Sequence, residues 1–277
     1  MSQTSDMMQM TAGQLVVWNG ENRRGSKDNS SNYYLENFTW DDIQIAANQK
    51  MYLRNTAGLG TLSSNSATKI INAIQNVNYN VGGNIETIYN YTSDNNMTSK
   101  FAYYLFFGDT HIINAGSLIL PATTLASSCY ENMFSGCTSL TTAPALPATS
   151  LARSCYYYMF KGCTSLTTAP ALPATILAES CYLSMFYGCT SLTTAPALPA
   201  TTLANNCYYY MFHNCSSLSD VKVNSDTIVY FTGWLDNVSP SGTITINRNA
   251  WYTTSSSSVP SGWTIIETGD LYEYELI

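Results

Sequence analysis

The chain has 277 residues, about enough for two ordinary domains, yet only 10% of them are Asp, Glu, Lys or Arg. An average soluble domain has roughly 25%, and no apolar run reaches the roughly 20 residues of a membrane-spanning helix, so a bilayer does not explain the deficit. A net charge of −7 gives little electrostatic support for nucleic-acid binding.

The first segment, residues 1–47, shows no repeat character and is polar and charged around Trp18, Arg23, Arg24 and Trp40. No basic start followed by an apolar stretch is visible, so we expect no secretory signal peptide. A segment of this composition is usually disordered unless something holds it. We therefore interpret it as an anchoring arm.

Residues 48–100 are predicted to form a β-rich N-terminal cap. Residues 69–88 alternate loosely between apolar and polar side chains, which is typical of half-buried strands. A polar loop at 90–100 then leads into the next part of the chain.

A 26-residue repeat fills residues 101–219. Its unit, LPATxLAxxCYxxMFxGCTSLTTAPA, is nearly perfect from 120 to 218, and eroded copies stand at both ends. Regular inner copies between eroded outer ones are typical of a capped solenoid, because a terminal repeat faces water on one side.

Each repeat is predicted to contain an amphipathic helical segment, the first at residues 125–136. At about 100° per residue, positions that are the same in nearly every copy, such as Cys129, Tyr130 and Phe134, fall on one inward arc. The changing positions fall on the outward arc and are, in this copy, Ser127, Ser128, Glu131, Asn132 and Ser135.

The stretch that follows, residues 140–146 in the first copy, is predicted to supply one short strand per repeat. The expected inward positions are Leu140, Ala143 and either Ala145 or Leu146. Thr142 is expected to point outward. Because Pro144 donates nothing to a sheet ladder, the sheet should be short or interrupted at that position.

Residues 220–277 are predicted to form a β-rich C-terminal cap with an acidic tail. The segment contains Trp234, Trp251 and Trp263, and its β-branched run at 243–246 is typical of a strand. Its end is rich in Glu and Asp, which is typical of a solvated tail.

The run Asn-x-Met-Phe-x-Gly-Cys-Thr-Ser-Leu-Thr-Thr-Ala-Pro-Ala-Leu-Pro-Ala-Thr resembles the BspA-like branch of leucine-rich repeats, which is common in bacterial surface proteins and in phage and prophage proteins. The resemblance covers about residues 50–269. It implies an α/β repeat fold, a right-handed solenoid of short strands and helical segments with β-rich caps at both ends. It also implies a role in adhesion or recognition, and it carries no catalytic residues and no cofactor.

The eight cysteines stand in pairs eight residues apart, a pattern that raises disulfide and metal alternatives. In a helix, Cys129 and Cys137 would lie about 12 Å apart, beyond the roughly 7 Å that a disulfide can bridge between Cα atoms. No histidine accompanies the pairs at a ligand spacing. The cysteines are therefore predicted to be core residues, with inter-repeat disulfides or metal binding as the alternatives.

The candidate partner-binding residues are aromatic side chains at changing, outward positions: Tyr157, Tyr158, Tyr187, Tyr209, Tyr210 and His213. Tyrosines among Ser, Asn and Thr are typical of recognition surfaces. Partial burial against the neighbouring repeat is the alternative. Between residues 116 and 219 the only charged side chains are Glu131, Arg153, Lys161 and Glu179, and they cancel. An uncharged glycan or protein is therefore the expected partner.

Together these features predict a non-enzymatic phage virion surface protein, either a head fibre, a decoration protein or a tail-associated protein. The arm would anchor it to other virion proteins through Trp18, Arg23, Arg24 and Trp40, and the repeats would recognise a host surface protein or glycan. No nucleic-acid binding or membrane insertion is expected, and homo-oligomerisation stays open. The alternatives are a bacterial cell-surface adhesin of the BspA-like type and a purely structural capsid decoration.

Overall fold

The computed structural model describes residues 8–12, 25–27, 33–36, 50–54, 78–85, 99–225, 231–247 and 259–268. Trp18, Arg23, Arg24 and Trp40, to which anchoring was assigned, lie outside these ranges, as do Trp251 and the part of the acidic tail at residues 269–277. Within the described ranges, no helix has the length and apolar character needed to span a bilayer.

Two sheets frame the repeats. The nine strands of the described ranges are β1 (Met8–Ala12), β2 (Gly25–Lys27), β3 (Tyr33–Glu36), β4 (Lys50–Arg54), β5 (Tyr79–Asn84), β6 (Ile112–Ile119), β7 (Asp220–Val223), β8 (Gly242–Asn247) and β9 (Trp263–Thr268). The first sheet has the order β2-β3-β4-β1-β5-β6 and the second the order β7-β8-β9. Strands therefore lie on both sides of the repeats.

The first sheet joins segments that were predicted to be separate. Strand β1, from the predicted arm, pairs antiparallel with β4 and β5, and places Met10 opposite both Met51 and Val81. Strands β2 and β3 extend the same sheet beyond β4. The strands of residues 1–47 thus belong to the cap, because their backbone groups are used in its ladder.

Single parallel bridges run through the repeats and connect the two sheets. Asn114 pairs with Thr142, and Thr142, Thr168, Thr194 and Asp220 then pair in succession, 26 residues apart. Strands β7, β8 and β9 continue the parallel pairing with shorter coils of 23 and 21 residues, as the paired positions 220, 243 and 264 show. The C-terminal segment therefore extends the stack of coils.

The strand predicted for each repeat is reduced to isolated bridges, as its proline led us to expect. Leu140 and Leu146 are buried, Thr142 is exposed, and Ala145 is exposed as well. Leu146, and not Ala145, is thus the second inward leucine of the return path.

The helical segment predicted at residues 125–136 is wrong, and so are its equivalents in the other copies. Every fourth residue has a left-handed φ, namely Ser128 at 54°, Asn132 at 56° and Gly136 at 80°. Successive backbone amides donate in alternate directions. The amide of Tyr130 donates to the carbonyl of Cys155 in the next coil at 2.9 Å, whereas an intervening residue such as Met133 donates to the carbonyl three residues back in its own coil. A helix needs bonds four residues back from every amide, so the segment is a row of tight turns.

The row of turns buries nearly the same residues that a helix would. Buried positions recur every four residues, at 129–130, 133–134 and 137. Over so short a segment, the four-residue period of the turns buries nearly the same side chains as the 3.6-residue period of a helix would. The outward arc differs, because Asn132 and Ser135 were predicted to be outward but are only 4% and 5% exposed.

Two columns of stacked rings fill the interior. Successive tyrosine rings lie 5.7 to 6.1 Å apart and successive phenylalanine rings 5.2 to 5.7 Å apart. The columns consist of Tyr130, Tyr156, Tyr182 and Tyr208, and of Phe106, Phe134, Phe160, Phe186 and Phe212. Parallel register brings identical residues together, so each added coil extends both columns.

The eight cysteines are buried and free, which confirms their predicted place in the core. The second cysteine of each pair has a polar role as well. The Sγ of Cys163 donates to the carbonyl of Phe134 in the preceding coil at 3.1 Å, and Cys137, Cys189 and Cys215 repeat the bond. A small apolar residue with a weak donor fits this position.

We expect the folded protein to resist thiol reagents. Burial raises the pKa of Cys155 to about 12 and that of Cys207 to about 11, so at mildly alkaline pH the reactive thiolate is scarce as well as inaccessible. Labelling with a chromogenic disulfide should be negligible in buffer and should reach all eight cysteines in denaturant. Rapid labelling of any cysteine in the native protein would contradict this packing.

Candidate binding surface

The outward side of the turns carries a row of aromatic side chains, which we call the aromatic surface. It comprises Tyr103, Tyr104, Phe107, Tyr157, Tyr158, Tyr187, Tyr209, Tyr210 and His213. All six residues predicted from the sequence belong to it. The three contributed by the eroded first copy were missed, although Gly108, aligned with Gly136, places them at the same positions.

Three equivalent tyrosine pairs stand on alternate coils. The ring centroids are 4.3 Å apart in Tyr103–Tyr104, 4.0 Å in Tyr157–Tyr158 and 4.2 Å in Tyr209–Tyr210. All six rings are partly buried, so the alternative of partial burial describes them better than full exposure.

We call equivalent positions in successive coils a column. In the column of the second tyrosine, the coils between the pairs carry small or short residues. Asn132 and Ser184 occupy it and are only 4% and 2% exposed. After Tyr210 the position is Gly233, where an added Cβ would stand 2.1 Å from a ring carbon of Tyr210. We infer that each second tyrosine covers the next coil, which explains why large and small residues alternate.

The second tyrosine of each pair has a left-handed backbone. Its φ is 57° at Tyr104, 55° at Tyr158 and 51° at Tyr210. A residue other than glycine in this region usually costs about 1–3 kcal/mol, and asparagine tolerates it best. Asn132 in the same column shows that the chain itself contains the cheaper choice. The backbone conformation by itself therefore does not favour tyrosine at these three positions.

Charge contributes little to the surface. Lys161 places its Nζ 4.4 Å from the ring centre of Tyr158 and 5.4 Å from that of Tyr187. These are cation–π contacts, which contribute little energy at exposed sites. Arg153 and Glu179 pair at 3.5 Å, with both side chains well exposed. Of the four charged side chains between residues 116 and 219, three are thus paired or placed over rings, and Glu131 is half-buried.

His213 completes the surface at its C-terminal end. Its ring stacks on Tyr187 at 4.9 Å and meets Tyr210 edge-on at 5.0 Å. Its Nδ1 lies 3.8 Å from Oδ2 of Asp236, and the Nδ2 of Asn214 donates to the hydroxyl of Tyr187 at 3.2 Å. These contacts fix the orientation of three rings before any partner binds.

The hydroxyls of Tyr103, Tyr157 and Tyr210 hold their protons more tightly than a free tyrosine does. Burial, aided by a hydrogen bond with Tyr104, raises the pKa of Tyr103 to about 12. Burial likewise raises the pKa of Tyr157, and a hydrogen bond with Tyr209 raises that of Tyr210. Each hydroxyl can therefore both donate and accept a hydrogen bond to a neutral ligand.

An open groove lies on the return path. It encloses about 640 Å³ and is lined mainly by prolines and alanines, among them Pro144, Ala145, Pro147, Ala171 and Pro173. No titratable side chain lines it, so it offers shape but no chemistry.

Among the described residues no group of three His, Cys, Asp or Glu side chains is placed to hold a metal ion. Comparisons with protein-family models, with curated proteins and with solved structures found no match to this chain.

Proposed function

We propose that the chain is a non-enzymatic recognition protein on the surface of a phage virion, as a head fibre, decoration or tail-associated protein. In this proposal the stacked coils are a solenoid of the BspA-like, leucine-rich-repeat-like type. The aromatic surface binds an uncharged glycan or a protein of the host cell, and the N-terminal segment anchors the protein to other virion components.

One observation carries the binding part of the proposal. Tyr104, Tyr158 and Tyr210 hold a left-handed backbone in a column where Asn132 and Ser184 also stand. Strained residues are found where function needs a particular side chain. Partly exposed tyrosines with fixed orientation bind at a low entropic cost, which suits a recognition surface.

Replacing Tyr157, Tyr158, Tyr209 and Tyr210 with alanine should abolish binding to host cells while the protein stays folded. A matched control replaces Thr167 and Thr193, which are exposed on the return path. Binding is measured by retention of labelled protein on host cells at low and high salt, and it should persist at high salt because little charge is involved. Unchanged binding by the tyrosine variant, or loss of binding at moderate salt, would refute the proposal.

The anchoring part needs a separate experiment. Deleting residues 1–47 removes strands β1–β3 of the first sheet as well as the proposed anchor. Alanine at Trp18, Arg23, Arg24 and Trp40 is therefore the sharper variant. Mass spectrometry of purified virions should find the wild-type chain and should lose this variant; incorporation of the variant would remove these residues from the anchor.

Two competing functions give different outcomes in these experiments. A bacterial adhesin of the BspA-like type would be found in outer-membrane fractions and not in virions. A purely structural decoration, which the partial burial of the tyrosines favours, would be found in virions, but the tyrosine variant would not change host-cell binding.

A further inference from the structure

The tyrosine pairs are arranged with a fixed period along the stack. Pairs stand at 103–104, 157–158 and 209–210, on every second coil. Stacked rings of neighbouring coils are 5.2 to 6.1 Å apart in the two interior columns, so consecutive pairs are separated by about twice that distance. The surface therefore presents three aromatic pairs at equivalent positions, with the two rings of a pair inclined at 56°, 30° and 65°.

The coils between the pairs carry no aromatic ring in the two columns of the pairs. In the column of the second tyrosine they carry Asn132 and Ser184, and both are covered by neighbouring atoms. Glu131, half-buried, and Leu183 occupy the column of the first tyrosine. A ligand that contacts all three pairs must hence be long and regular.

We propose that this surface binds a neutral, extended β-1,4-linked glycan, with one disaccharide unit for each tyrosine pair. Such a chain advances by a distance similar to one coil per sugar and turns its ring over at each link, so equivalent faces return at every second sugar. The pairs supply rings on which sugar faces stack, and their hydroxyls supply hydrogen bonds. The inference rests on the proposed function and adds the substrate class to it.

The weak charge of the surface supports this choice of ligand. Arg153 and Glu179 pair with each other, and Lys161 lies over two rings. An anionic polysaccharide would find no row of cations to match its charges. A neutral chain needs none, and Lys161 can donate to its hydroxyls.

Isothermal titration of the full-length protein with β-1,4-linked glucose oligomers of two, four and six units tests the periodicity. Affinity should rise with each added disaccharide, by about tenfold or more from two to six units, because each new pair binds an already tethered ligand. Maltohexaose, which has the same sugars in a coiled α-linked chain, should bind far more weakly. Affinity that does not change with length, equal binding of maltohexaose, or no binding of any oligomer would overturn the inference.

Variants of the middle pair sharpen the test. Tyr158→Asn should lower the affinity for the six-unit oligomer to nearly that for two units, because the outer pairs are then no longer joined. Leu183→Ala, on the coil between two pairs, is the matched control and should bind as the wild type does. If no oligomer binds while host-cell binding still depends on the tyrosines, the partner is a host protein; the inference then fails and the proposed function stands.

Discussion

Deleting residues 151–176 is expected to leave a folded protein that is one coil shorter. The deletion joins Ser150 to Leu177, so each later residue takes the place of its equivalent 26 positions earlier. Phe134 then stacks on Phe186, and the alternating hydrogen bonds are restored with the next coil. Circular dichroism and a single unfolding transition, with buried thiols, should show that the shorter protein is native.

Deleting residues 164–176 is the matched control, and we expect this variant not to fold. This deletion removes only half as many residues as the longer one. The removed residues form the return path between two rows of turns, and because the two rows run parallel, the end of one cannot be joined directly to the start of the next. The chain would have to expel the next row of turns, whose inward residues include Tyr182, Met185 and Phe186. Exposing large apolar side chains costs about 1.5–3 kcal/mol each, which together rivals the total stability of a domain. If this deletion were as well tolerated as the longer one, the register of 26 would be wrong.

Phe160→Ala should lower the free energy of unfolding by about 3–5 kcal/mol. Phe160 is fully buried, and its ring lies 5.6 Å from those of Phe134 and Phe186, so its removal opens a cavity in the middle of the column. The loss of two stacked pairs adds to the effect. Urea unfolding followed by tyrosine and tryptophan fluorescence measures it.

Phe107→Ala provides the control for the same change on the other side of the turn. Phe107 is 38% exposed, and its ring centroid lies 4.7 Å from that of Tyr104. Its replacement should cost less than about 1 kcal/mol. Similar losses for both variants would mean that the inward column does not carry the stability of the fold.

The repeat made the interior predictable from the sequence. Within the rows of turns, aligning the copies separates constant apolar positions such as Cys129, Tyr130 and Phe134 from changing ones, and these three are buried. The short strand was likewise predictable from Pro144. Both inferences need only the period and the chemistry of the side chains, not the backbone conformation.

The backbone conformation of the turns could not be predicted from the spacing of apolar residues, because the 3.6-residue period of a helix and the four-residue period of the turns differ little over one segment. The distinguishing signal was a column of Ser128, Ser154, Ser180 and Asn206 and a column of glycines eight residues later, since these residue types tolerate turns and left-handed backbone. Tyr104, Tyr158 and Tyr210 obscured it, because tyrosine is unusual at such positions. The local rule failed at the residues we propose to be functional.

In our proposal these tyrosines are kept for binding and not for stability, and one double variant separates the two roles. Tyr158→Asn with Tyr210→Asn copies the Asn132 of the chain itself. Because relief of backbone strain offsets the lost ring contacts, the free energy of unfolding should stay within about 1 kcal/mol of the wild-type value. Host-cell binding should be lost in the same preparation. A drop of several kcal/mol in the free energy of unfolding, with host-cell binding unchanged, would contradict the account.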